Sequence, residues 1–90
     1  MKQVIRFEFN KNITKEDIED LISTAVITAE CTFGEAKVRI NAGYLISGSK
    51  AVVDVSSKVG EHIAEVFTGL ITKKFGEESF YLERVRDESH

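Results

Sequence analysis

Gly48-Ser49 stands between two runs of alternating residues, and this arrangement constrains the chain more than any other feature. Ala42, Tyr44 and Ile46 precede it at every second position, and Ala51, Val53 and Val55 follow it in the same way. A two-residue loop with glycine first suits a type II′ turn, whose twist matches that of the strands it joins. Such a turn sets Ile46 opposite Ala51, Tyr44 opposite Val53 and Ala42 opposite Val55, all on one face. A slip of one residue would move each of them to the other face. The same register sets Leu45 opposite Val52 on the reverse side.

The first strand of this hairpin is expected to begin near Ala36, because Ala36, Val38 and Ile40 continue the alternation against Lys37, Arg39 and Asn41. Val4–Phe9 is another period-two segment, with Ile5, Phe7 and Phe9 on one side and Val4, Arg6 and Glu8 on the other. Alternation with one polar side marks a sheet covered on a single face.

Two segments carry the helical period instead. Thr14 is an N-cap with Asp17 three residues on, flanked by Ile13 and Ile18 at the staple positions. Ile18, Leu21, Ile22, Ala25 and Ala29 form the apolar stripe that follows, and Gly34 is expected to close the helix or the turn after it. Ser56 or Ser57 caps the other helix, whose stripe is Val59, Ile63, Val66, Phe67, Leu70 and Ile71. Lys73, Lys74 and Gly76 mark its end, and a last strand is expected over about Phe80–Val85. The spacing thus predicts one domain over 1–86 and a polar tail over 87–90.

The order strand, helix, strand, strand, helix, strand resembles the ferredoxin-like split βαβ fold: α+β, a four-stranded antiparallel sheet with two helices on one face. That fold hosts many unrelated functions, so the resemblance implies an architecture and no activity. Heavy-metal-binding domains of this fold place C-x-x-C at the first strand–helix junction; Phe9–Lys15 contains no cysteine. RNA-recognition motifs need open-face aromatic rings, whereas Val4, Arg6, Glu8, Val52 and Asp54 stand there, with Tyr81 the one ring expected on that side. The same junction lacks the glycine usual in amino-acid-binding regulatory domains and the arginine phosphate loop of acylphosphatase-like enzymes.

Twelve basic and fifteen acidic residues give a net charge of −3, which supplies no electrostatic reason for binding nucleic acid or an acidic membrane. One cysteine, Cys31, excludes an intrachain disulfide, and the alternating Met1–Phe9 segment is neither a signal peptide nor a membrane span. These features favour a cytoplasmic protein. No cofactor motif is present.

Three functional readings follow. The leading one is a non-catalytic module that self-associates through the open sheet face, with Val4, Leu45, Val52 and Tyr81 as candidate interface residues and a homo-oligomer as the product. The second is a regulatory domain for a small anionic ligand held at Ser56, Ser57, Lys58 and Gly60, where free backbone N–H groups, hydroxyls and an ammonium converge. Ordinary capping also accounts for those serines. The third is a small enzyme using His62 and Glu65, spaced i, i+3, as an acid–base pair. A solvated helix face produces the same pattern, and the balance is against catalysis. Cys31 is expected to be a buried or half-buried inert thiol, and Lys37 and Arg39 to share the open face with Arg6.

Overall fold

A computed structural model describes residues 2–87. In chain order the elements are β1 (Lys2–Phe9), α1 (Lys15–Phe33), α2 (Glu35–Asn41), β2 (Tyr44–Ser47), β3 (Lys50–Asp54), α3 (Lys58–Phe75), a 3₁₀ turn (Glu77–Ser79) and β4 (Phe80–Asp87). The strands form one antiparallel sheet in the order β2-β3-β1-β4. Of the tail expected over 87–90, only Asp87 lies within the described residues, and its backbone continues β4.

The ferredoxin-like, two-helix pattern does not describe this chain, because a third helix occupies the segment expected to begin β2. In Glu35–Asn41 only Val38 is buried, while Ile40 is 81% exposed. The alternation of Ala36, Val38 and Ile40 therefore does not report a pleat. Glu, Ala, Lys and Arg all favour helix, and Ala and Lys are poor in strands. Glu35 in the first turn and Arg39 in the last also suit the helix dipole. Gly34 separates the helices: its N–H caps α1 at the Glu30 carbonyl (2.9 Å), and its own carbonyl accepts from the Val38 N–H (3.2 Å). As a result Lys37 and Arg39 lie on α2 and not on the sheet.

The hairpin keeps the register its turn implies. Ile46 pairs with Ala51, Tyr44 with Val53 and Leu45 with Val52, whereas the expected Ala42–Val55 pair is not formed, because Ala42 caps α2 and both residues lie outside the strands. Gly48 has φ 61° and Ser49 has no positive φ, which matches a type II′ turn and excludes type I′.

The helices cover the face bearing Ile5, Phe7, Phe9, Ala51, Val53 and Val55, and together these elements bury one continuous core. At its centre the Phe7 and Phe67 rings meet edge to face, 5.0 Å apart and at 82°. The stripe of α1 is buried as its spacing implies, at Ile18, Leu21, Ile22, Ala25 and Ala29. Cys31 falls off that stripe and is exposed, contrary to the buried thiol expected of it. Thr14 forms a full capping box: its Oγ1 accepts from the Asp17 N–H, and Asp17 Oδ2 accepts from the Thr14 N–H, both at 3.1 Å.

Gly60 shows how α3 approaches the sheet. It is buried, and a Cβ there would collide with the Asp54 carbonyl oxygen. Gly69, further along the same helix, is exposed with open space around it. Gly60→Ala should therefore destabilise the protein by about 1–3 kcal/mol through overpacking. Gly69→Ala should stabilise it by ~0.5–1 kcal/mol through the lost backbone entropy of glycine. Urea denaturation of both variants measures these opposite signs.

The Thr14 backbone N–H, and then the Thr14 hydroxyl, hold the Asp17 carboxyl below the ordinary aspartate range. A carboxyl whose folded pKa is depressed contributes stability above its unfolded pKa and loses it as pH falls through the folded value. The stability gap between wild type and Asp17→Asn should accordingly be present at pH 7 and close below roughly pH 4. A gap unchanged at acid pH would show that the charge of Asp17 adds nothing to the cap.

Candidate functional site

Strand pairing turns the open face into rows of neighbouring side chains. One row reads Leu45, Val52, Arg6, Glu83 across β2, β3, β1 and β4. On one side lies Ser47, Lys50, Glu8, Tyr81, and on the other Asp54, Val4, Val85. All four residues assigned to a sheet interface from sequence stand in these rows. Leu45 and Tyr81 are 67% and 65% exposed, and Val4, Val52 and Val85 are half-buried.

Between the first two rows the face is concave. A shallow depression of about 420 Å³ is bounded by Arg6, Glu8, Lys50, Val52, Tyr81 and Glu83. Its walls carry two cations and two carboxylates; Lys50 Nζ lies 3.5 Å from Glu8 Oε1 across the β1–β3 pair. Exposed pairs of this kind contribute little stability, so their importance lies in the pattern of charge they present. Lys50 was not singled out in the sequence, because the β1–β3 register that sets it beside Glu8 joins segments with no shared local signal.

The start of α3 holds the residues considered for anion binding. Ser57 Oγ accepts from the Gly60 N–H at 3.1 Å and donates to the Asn41 carbonyl at 3.4 Å. Ser56 Oγ accepts from the Gln3 N–H at 3.0 Å, and the Ser56 N–H donates to Asp54 Oδ1 at 2.9 Å. Lys58 is exposed. The helix start thus joins α2, β1 and β3, with a carboxylate of the chain's own beside it. A second carboxylate, Glu61 in the first turn, meets Arg84 of β4 at 2.9 Å. Arg84 also donates to Gln3 Oε1 at 3.3 Å. This link had no sequence signal, since only the fold brings the two ends of the chain beside α3.

His62 and Glu65 diverge despite their i, i+3 spacing. His62 is half-buried toward α1, with Nε2 3.2 Å from Thr28 Oγ1 and its ring perpendicular to that of Phe33. Glu65 is exposed and lines a shallow cleft on the β4 side of α3 with Glu61, Ala64, Thr68, Arg84 and Ile5. Among the described residues, no group of three or more His, Cys, Asp or Glu is placed to hold a metal ion. No helix among them is long and apolar enough to cross a membrane.

Compared with known proteins, the sequence matches no family model, and no curated protein is significantly similar to it.

The Thr28 hydroxyl proton is directed to the Ala25 carbonyl at 2.7 Å, so its oxygen is left to accept from His62. A neutral His62 should therefore be the Nε2–H tautomer. Nitrogen chemical shifts of the ring report this directly. Thr28→Val should produce a mixture of tautomers and cost about 0.5–1.5 kcal/mol for the lost inter-helix hydrogen bond.

Proposed function

We propose that this protein is a non-catalytic interaction module that forms a homodimer through its open sheet face. The observation that carries the reading is the helix-free face itself. Leu45 beside Val52 and Val4 beside Val85 are register-adjacent apolar pairs, and the exposed Tyr81 borders the depression on the other side of the Val52 row. Contiguous apolar surface marks association sites, whereas single exposed apolar residues are ordinary. The exposed large apolar residues on the helix side, Ile27, Ile40, Tyr44 and Leu82, sit on four different elements, α1, α2, β2 and β4.

Size supports the reading. The molecule measures 34 × 33 × 19 Å, so its broad sides exceed in outline the ~800 Å² that each partner gives to a standard interface. Burying Leu45 and Val52 is worth about 1.5–3 kcal/mol each when water is fully removed. Association costs ~4 kcal/mol or more in lost freedom, so Val4, Tyr81 and Val85 must contribute as well. The lone cysteine fits residence in a reducing compartment such as the cytoplasm.

Analytical ultracentrifugation across micromolar concentrations tests this. Wild type should sediment as a dimer, and Leu45→Glu should weaken the dimer by placing an unpaired charge in the contact. Lys37→Ala, on α2, should leave it unchanged. A monomeric wild type, or a Leu45→Glu variant that dimerises equally well, would exclude the open face as the association surface.

A further inference from the structure

The two edge strands of the sheet differ in how they are defended. β4 carries Glu83, Arg84 and Arg86. The two antiparallel registers that would pair most of β4 with another copy centre on Glu83 or on Arg84, and each opposes that charge to itself. β2, at the other edge, reads Tyr44-Leu45-Ile46-Ser47, without a charge or a proline, and its Tyr44 is 47% exposed. Natural edges usually carry a charge, a proline or a bulge, because an undefended edge accepts another strand. We infer that β2 is a second self-association surface, which pairs antiparallel with β2 of another copy about a two-fold axis at Leu45, normal to the sheet.

The hydrogen-bond pattern decides which groups β2 has to offer. Across a two-residue turn Ser47 and Lys50 form a hydrogen-bonded pair, and alternation makes Leu45–Val52 and Gly43–Asp54 the next such pairs. The Asp54 N–H donates to the Gly43 carbonyl at 2.8 Å, in agreement with this phase. Tyr44 and Ile46 therefore direct their N–H and carbonyl groups away from β3, to the open edge.

A two-fold normal to the sheet keeps every side chain on its own face, so the axis must pass through a residue and not between two. Centred on Leu45, it opposes Tyr44 to the second copy's Ile46 in both directions, and each such pair exchanges N–H and carbonyl bonds. Centred on Ile46, it would set Tyr44 against Gly48 in the turn. Centred on Tyr44, it would set Ile46 against Ala42, whose N–H is already given to the Val38 carbonyl. The Leu45 register also places an aromatic ring beside a β-branched side chain on the helix side, a favourable cross-strand pair. On the open face the apolar pair Val52–Leu45 continues into Leu45 and Val52 of the second copy. The edge is thus continuous with the proposed open-face contact without depending on it.

Amide hydrogen exchange of the full chain reads the pairing, because the Tyr44 and Ile46 N–H groups gain strand acceptors only from a second copy. Their protection should rise by about threefold or more between ~20 µM and ~1 mM protein, as mass action requires. Leu45, bonded to Val52 within the chain, should be protected throughout. Tyr44→Pro removes an outward donor at the first residue of an edge strand, where proline is tolerated, and Tyr44→Lys adds an edge charge. Both should abolish the concentration dependence at Ile46 while Leu45 stays protected. Tyr44 lies on the helix side, so Tyr44→Lys should leave an open-face dimer unchanged in sedimentation. Tyr44 and Ile46 amides that exchange freely at every concentration, or a concentration dependence that survives both substitutions, would overturn the edge pairing and leave open-face association standing. Protection gained only on adding a foreign extended peptide of alternating Val and Lys would overturn self-pairing as well.

Discussion

The structure depends on the edge-to-face contact between Phe7 and Phe67. Phe7 stands on β1, the strand that pairs with both β3 and β4, and Phe67 stands midway along α3. Phe9 joins the contact at 5.9 Å from Phe67, and Phe80 of β4 approaches Phe7 at 6.2 Å. Four rings thereby bind two strands and a helix at one point. Aromatic groups bury more area than any other side chain, and in a chain of 90 residues few substitutes for that area exist. Because Phe7 faces the helices, the strict alternation of β1 turns Arg6 and Glu8 outward. The character of the open face is in this sense a consequence of the core.

Local signals reported local structure well. The Thr14 cap, the α1 stripe and the register about Gly48-Ser49 are each decided by residues close in sequence, and they stand as their chemistry implies. The misreading over 36–42 has an equally local cause. Three apolar residues at every second position fit a strand, but a seven-residue helix with one buried residue leaves no stripe long enough to betray its period. Helix propensity in Glu35, Ala36, Lys37 and Arg39 was the better guide there. Cys31 was misplaced for a related reason: residue type favours burial, whereas its angle around α1 sets it toward solvent.

The candidate site was legible only where it rested on the hairpin. Leu45 and Val52 follow from the turn, and Val4 and Tyr81 from the parity of their strands. The charged half of the face, with Lys50 beside Glu8 and Arg6 beside Glu83, depends on how β1 aligns with β3 and β4. That alignment is a tertiary fact with no local marker. The divergence of His62 and Glu65 is tertiary as well, since α3 has α1 on one flank and β4 on the other, and each residue is drawn to a different one.

The position of β1 also has a consequence in time. It is the innermost strand of the half-sheet formed with β4, yet it is synthesised before either of its neighbours. At ~5–20 residues per second, several seconds separate the appearance of Phe9 from that of Phe80, its partner on β4. Throughout that interval β1 has Ile5, Phe7 and Phe9 made and at least one edge unpaired, both until β3 is made, which is the condition in which nascent strands seek wrong partners. Arg6 and Glu8, alternating with those apolar side chains, keep the segment charged while it waits, so the same two residues that pattern the finished surface also act as gatekeepers on the unfinished chain.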